Sequence, residues 1–137
     1  KFLSSGDSEL FGYRNDAFTG ADKGGSQGLI LKADNGTLFL DEIGDMSMPL
    51  QATLLRFLDD WHVRPVGGTT EKKVDLTLIT ATNRDLKAAV KEKTFREDLW
   101  YRLNVFPIII PPLRQRPEDI QALVTHFTEK KSKELKI

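Results

Sequence analysis

The sequence contains no cysteine. Disulfides and thiolate metal sites are therefore excluded, and the lack of thiols suits a reducing, cytoplasmic setting. Net charge is missing too, because 20 Lys and Arg balance 20 Asp and Glu. Nucleic-acid binding needs a basic excess or a basic face, so these residues by themselves are not expected to bind DNA or RNA. No apolar run approaches the roughly 18 residues of a membrane span, and the opening residues are not expected to be a signal peptide. There is no internal repeat and no low-complexity segment. The first residue is Lys1 rather than Met, so the chain is expected to be a piece of a longer protein.

What is present is ordinary for a globular domain. The 137 residues, 39% hydrophobic and 29% charged, suffice for one domain with a core. Ser4 to Phe11 predicts a short helix stopped by Gly12, and residues 13–28, rich in glycine, read as loop. Leu29 to Ala33 predicts a helical turn ended by Asn35-Gly36. Thr37-Leu38-Phe39-Leu40 is continuously apolar, as in a strand buried on both faces. Leu50, Leu54, Phe57, Leu58 and Trp61 recur at spacings of three and four behind Ser47 and Pro49, which predicts a helix with one apolar stripe. Val63 to Val74 reads as two short strands around Gly67-Gly68. Leu76 to Thr82 predicts another buried strand. Arg84 to Leu103 is expected to be mostly helical with a break near Thr94. Val105 to Ile110 predicts a third apolar strand, closed by Pro111-Pro112. Pro117 opens a last helix, with Glu118 and Asp119 in its first turn and a solvated charge run from Glu129 to Lys136. Apolar strands alternating with helices indicate an α/β fold with a parallel sheet.

Ligands of such sheets bind beyond the carboxyl ends of the strands. The first strand ends in Asp41-Glu42. An Asp there can hold Mg²⁺ and a Glu can polarise an attacking water, although a strand leaving into a polar loop explains the pair equally simply. The second strand ends in Thr82-Asn83-Arg84. Asn83 can sense a phosphate or cap the following helix. Arg96 and Arg102, six apart on one predicted helical segment from Phe95 to Asn104, can reach a neighbouring subunit's phosphate; pairing of Arg102 with Glu97 or Asp98 is the local alternative. No phosphate loop is present. Gly20 and Gly25 have the right spacing, but Ser26-Gln27 stand where Lys and Ser or Thr are required. His62 and His126 lack ligand partners, and Trp61 and Trp100 read as packing residues.

Six segments, in order, resemble the sigma-54 interaction domain of bacterial enhancer-binding proteins, which are AAA+ ATPases related to NtrC. Ser8-Glu9-Leu10-Phe11-Gly12 and Asp16-Ala17-Phe18-Thr19-Gly20-Ala21 resemble the helix and the Gly-Ala-Phe-Thr-Gly-Ala loop that touches sigma-54. Gly28 to Ile43 resembles the Walker B segment. Ala81-Thr82-Asn83-Arg84-Asp85-Leu86 resembles sensor I. Phe95 to Asn104 resembles the helix bearing two arginine fingers, and Pro111-Pro112-Leu113-Arg114 the joint into a helical lid. Details around Gly28 and Pro65 resemble the acetoin-regulator-like subgroup.

The resemblance implies a P-loop NTPase-type three-layer α/β/α core over residues 1–112 and the start of a helical lid over 113–137. It implies an ATP-binding segment of Ala33, Asp34, Asn35, Gly36, Thr37, Leu38, Phe39, Leu40, Asp41 and Glu42. Asp41, Glu42, Asn83, Arg96 and Arg102 become catalytic, with Asp41 meeting Mg²⁺ through the nucleotide. Ala17, Phe18, Thr19 and Gly20 become the sigma-54 contact. ATP and Mg²⁺ are the implied cofactors. The implied partners are sigma-54 RNA polymerase and further copies in a ring, usually a hexamer; DNA would be met only through a C-terminal domain beyond these residues. The intact parent is then an ATPase that remodels sigma-54 polymerase and opens promoters, while the 137 residues alone are expected to be inactive. The alternative is a contact-only regulatory module without ATP hydrolysis. Asp16 stands where the family loop has its first Gly, and Leu31 and Pro65 stand where members often carry Glu and Arg.

Overall fold

The computed structural model describes residues 6–13 and 25–136. The chain divides into two compact units, Lys1–Val105 and Phe106–Ile137.

The first unit opens with α1 (Gly6–Phe11), which ends where Gly12 takes a φ of 81°. Two short strands, β1 (Gly12–Tyr13) and β2 (Ser26–Gln27), pair antiparallel. Gly28 then enters α2 (Leu29–Lys32). A side chain could not stand there, because a Cβ would lie 2.3 Å from the backbone of Phe11 and Gly12. Asn35, with φ at 60°, turns the chain into β3 (Gly36–Leu40), since Asn tolerates the left-handed region better than most residues.

After β3 comes a 3-10 turn, Ile43–Asp45, and then α3 (Met48–Asp60). Ser47 caps α3 through an Oγ that accepts the Leu50 N–H at 3.4 Å, and Pro49 lies in the first turn. Leu50, Leu54, Phe57 and Leu58 are all buried, as the stripe predicts. Trp61 ends the helix in the left-handed region, its ring edge-on to Phe57 at 5.4 Å. The hairpin follows as β4 (His62–Val63) and β5 (Lys72–Lys73), antiparallel, with Gly67 at φ 75° in its turn. The chain then returns as β6 (Leu76–Thr80), parallel to β3, with Leu38 opposite Leu78 and Leu40 opposite Thr80. Two further helices, α4 (Leu86–Lys91) and α5 (Glu97–Leu103), flank the expected break at Thr94. The core joins Leu10, Phe11, Ile30, Leu38, Leu40, Leu54, Phe57, Val63, Leu76 and Leu99.

Two expectations are corrected. The strands β3 and β6 are buried on one face only. Leu38, Leu40 and Leu76 point into the core, while Phe39 and Ile79, opposite each other in register, are 56% and 48% exposed; side chains alternate along a strand, and the helices of this unit cover one side. Val105 to Ile110 forms no strand. A strand needs a ladder partner, none of the described residues supplies one, and Pro107 has no N–H to donate. Val105, Phe106, Ile108, Ile109 and Ile110 are all exposed.

The second unit holds a 3-10 turn at Leu113–Gln115 and α6 (Glu118–Leu135), which begins after Pro117. Arg116 pairs with Asp119 at 3.2 Å, and Lys131 with Glu134 in the charged end.

Candidate functional site

Parallel pairing of β3 with β6 places both carboxyl ends side by side. The ladder continues past the strands: the Ala81 N–H donates to the Leu40 carbonyl at 2.8 Å and the Ile43 N–H to the Ala81 carbonyl at 3.0 Å. Asp41-Glu42 and Thr82-Asn83 are therefore neighbouring loops. Arg84 ties them together by an ion pair to Asp45 at 2.5 Å. Buried Gly44 lets them close up, for a Cβ there would sit 2.9 Å from the Thr82 Oγ1 and 3.2 Å from the Arg84 Cδ.

Glu42 is held with φ 54° and ψ 39°, a left-handed backbone that costs a residue with a Cβ about 1 kcal/mol. Its N–H donates to Asp41 Oδ1 at 2.8 Å, and its carbonyl accepts the Asp45 N–H at 2.9 Å. Strain of this kind persists where surrounding contacts over-determine it and clusters at working sites. Both carboxylates are exposed, and no Lys or Arg among the described residues pairs with either.

Asn83 does not cap α4. Asp85 does, its Oδ1 accepting the N–H groups of Lys87 at 2.9 Å and Ala88 at 3.1 Å. Asn83 is left exposed, with no side-chain partner among the described residues.

Arg96 precedes α5 rather than lying within it, in extended backbone at the cap position. Its guanidinium forks onto Asp98, with contacts of 3.0 and 2.7 Å. That hydrogen bond holds the Asp98 carboxyl below its usual range and raises the Arg96 group. The local pairing expected for Arg102 thus falls to Arg96. Arg102 instead donates to the Leu58 carbonyl at the end of α3, at 2.7 and 3.3 Å.

The segment Ala33 to Glu42 runs the whole length of β3 and past both its ends. Asp34 lies beyond the opposite end of β3 from Glu42, and the strand between them is itself about 13 Å long at 3.3 Å per residue. Asp34 accepts the Asp75 N–H at 2.9 Å and pairs with Lys72 at 3.2 Å. The Asp75 hydrogen bond first, and Lys72 second, lower its pKa. Leu38 and Leu40 are core, and Phe39 faces outward. Ala17, Phe18, Thr19 and Gly20 lie outside the described residues.

Two residues that sequence reasoning passed over contribute to the site. Gly44 sets the spacing of the two loops. Gln51 is fully buried and bridges to the Arg96 backbone. A polar residue one place from Leu50 and three from Leu54 on an apolar stripe is the signal that marks it.

Residues 5–109 match the profile of the family described as the sigma-54 interaction domain. Among curated proteins, the regulatory protein AtoC of Escherichia coli (strain K12) is 56% identical over 128 residues, 93% of this chain and 28% of AtoC. The DNA-binding transcriptional regulator NtrC of Rhizobium meliloti (strain 1021) is 52% identical over 93% of this chain and 26% of NtrC. AcoR of Bacillus subtilis (strain 168), an acetoin dehydrogenase operon transcriptional activator, is 50% identical over 90% of this chain and 20% of AcoR. The chain thus spans at most 28% of the length of these relatives. A crystal structure of NtrX from Brucella abortus superposes with a TM-score of 0.84 at 38% identity, over 93% of this chain and 28% of NtrX. NtrX in complex with ATP superposes with a TM-score of 0.80. The fold is α/β, of the AAA+ P-loop NTPase type, and the chain belongs to the sigma-54 interaction domain family.

Proposed function

We propose that these residues form the central ATPase part of a sigma-54-dependent transcriptional activator. In the full-length protein, ATP hydrolysis at the ends of β3 and β6 drives remodelling of sigma-54 RNA polymerase and promoter opening. The observation that carries this reading is the juxtaposition of strained Glu42 with Asp41 on one loop and exposed Asn83 on the next. NtrX complexes with ADP and ATP support nucleotide as the ligand.

In this reading the residues take distinct tasks. Glu42 accepts a proton from, and orients, the attacking water. Asn83 donates its amide to the γ-phosphate or to that water. Arg96 and Arg102 leave Asp98 and the Leu58 carbonyl to meet the phosphate of a neighbouring subunit in a ring, taken as a hexamer. The residues present fit a divalent cation modestly: Asp41 is exposed and free of a cationic partner, and no trio of His, Asp or Glu gathers among the described residues. Asp41 would hold Mg²⁺ as one ligand, the others coming from nucleotide and water; the ion supplies charge neutralisation at the phosphates. Phe18 and its neighbours Ala17, Thr19 and Gly20 make the sigma-54 contact. Residues 113–137 begin a helical lid, DNA is met through another part of the full-length protein, and the setting is cytoplasmic. No phosphate loop occurs in the 137 residues, so they are proposed to be inactive alone.

The test is ATP turnover by the full-length protein. Glu42→Gln should lower kcat by about 100-fold or more while leaving ATP binding within about twofold. Unchanged turnover in that variant would remove Glu42 from the chemistry, and no turnover by the wild-type protein would favour the contact-only module.

A further inference from the structure

Gln51 is the one polar side chain fully buried among the described residues. It stands in the first turn of α3, and its carboxamide makes three hydrogen bonds to backbone. The Nε2 donates to the Met46 carbonyl at 2.8 Å and to the Thr94 carbonyl at 3.1 Å. The Oε1 accepts the Arg96 N–H at 2.8 Å. Met46 ends the 3-10 turn that follows Glu42, while Thr94 and Arg96 flank buried Phe95 in the link between α4 and α5. One amide therefore closes a bridge from the carboxylate loop to the arginine. Its orientation is fixed, since a flipped amide would set oxygen against two carbonyls and nitrogen against an N–H. A satisfied buried network of this kind specifies one arrangement of the backbone around it.

We propose that Gln51 is a positioning residue that holds Arg96 in register with the Asp41-Glu42 loop, so that the arginine is presented to the neighbouring subunit in a geometry set by its own carboxylate loop. The proposal rests on the ATPase reading above. Gln51 touches no nucleotide. It acts through the Arg96 backbone, while Asp98 restrains the guanidinium.

The experiment uses the full-length protein, with kcat, KM and thermal melting measured for Gln51→Met, which keeps length and burial but loses all three hydrogen bonds. A displacement near 1 Å of a positioned group costs up to about 100-fold in rate. The expected result is a kcat lowered about 10- to 100-fold with KM within about twofold. Arg96→Ala should show the same split. Mixing then separates the roles. Gln51→Met subunits keep good carboxylates and present a poor arginine, whereas Glu42→Gln subunits do the reverse. Mixing the two should restore turnover, as mixing Arg96→Ala with Glu42→Gln should. Should Gln51→Met fail to fold, Gln51→Asn, polar but too short to span the bridge, carries the same expectations. A variant that melts lower yet keeps kcat within twofold would overturn the proposal and leave Gln51 as core support. Loss of kcat without recovery on mixing, where Arg96→Ala recovers, would also overturn it and assign Gln51 to the carboxylate loop alone. A wild-type protein without ATP turnover would instead refute the ATPase reading itself, and an Arg96→Ala variant equal to wild type would refute the role that reading gives the arginine.

Discussion

Gly44→Ala is the most informative small change near the site. The added Cβ would stand 2.9 Å from the Thr82 Oγ1, where ordinary contact begins at 3.4 Å, and 3.2 and 3.3 Å from the Arg84 Cδ and Cβ. The Arg84 stem is flexible and its guanidinium half-exposed, so it yields at little cost. Thr82 does not yield as easily: it is β-branched, and its Oγ1 accepts the Arg84 N–H at 3.1 Å. Overpacking of a tight site costs about 1–3 kcal/mol. With one stiff neighbour and one soft one, the loss should lie near the low end, about 1–2 kcal/mol. The strain pushes the Thr82-Asn83 loop away from Asp41-Glu42, so kcat for ATP should also fall, by roughly 10-fold. Urea denaturation and ATP turnover of the full-length protein measure the two effects. Thr82→Ala removes the clashing oxygen, so the double variant should be more stable than the sum of the singles by about 1 kcal/mol. A Gly44→Ala protein within 0.5 kcal/mol of wild type, with no coupling to Thr82, would refute the close apposition of the two loops.

Leu54→Ala should cost about 2–5 kcal/mol in the same denaturation assay, because Leu54 is fully buried in the core cluster that also holds Phe57 and Leu58; a loss under 1 kcal/mol would place it outside the core. Asp34 predicts a pH dependence. Its folded pKa is lowered from 3.8, so its stabilisation is present above that value and disappears as pH falls through the lower folded pKa. The urea midpoints of wild type and Asp34→Asn should differ at pH 7 and converge in acid below the ordinary aspartate value; an equal gap at both ends would contradict the Asp75 and Lys72 contacts.

The elements legible in the sequence are those with a local cause. The Leu50–Trp61 stripe behind Ser47 and Pro49 fixes α3 because period, cap and proline agree. Gly67-Gly68 marks the hairpin, and the apolar runs before Asp41 and Thr82 mark two parallel strands. The residues after those runs meet in space, since parallel strands align their carboxyl ends. What was not legible depends on distant partners. Phe39 and Leu38 are equally apolar, yet only the three-dimensional arrangement decides which faces the core. The Val105–Ile110 run has strand composition, but composition supplies no ladder. Asp34 and Asp41 are alike as carboxylates; the Asp75 N–H and Lys72 engage one and leave the other exposed. The bridge from Gln51 to Thr94 and Arg96 spans more than 40 positions of sequence, and no local pattern encodes it.

Promoter opening by sigma-54 RNA polymerase, measured with the full-length protein and either ATP or a non-hydrolysable analogue, tests the central claim most directly. The account predicts open complexes with ATP and none with the analogue, and none with ATP when Glu42 is replaced by Gln. Equal opening with either nucleotide, or with neither, would contradict it and make this fold a contact module that does not use hydrolysis.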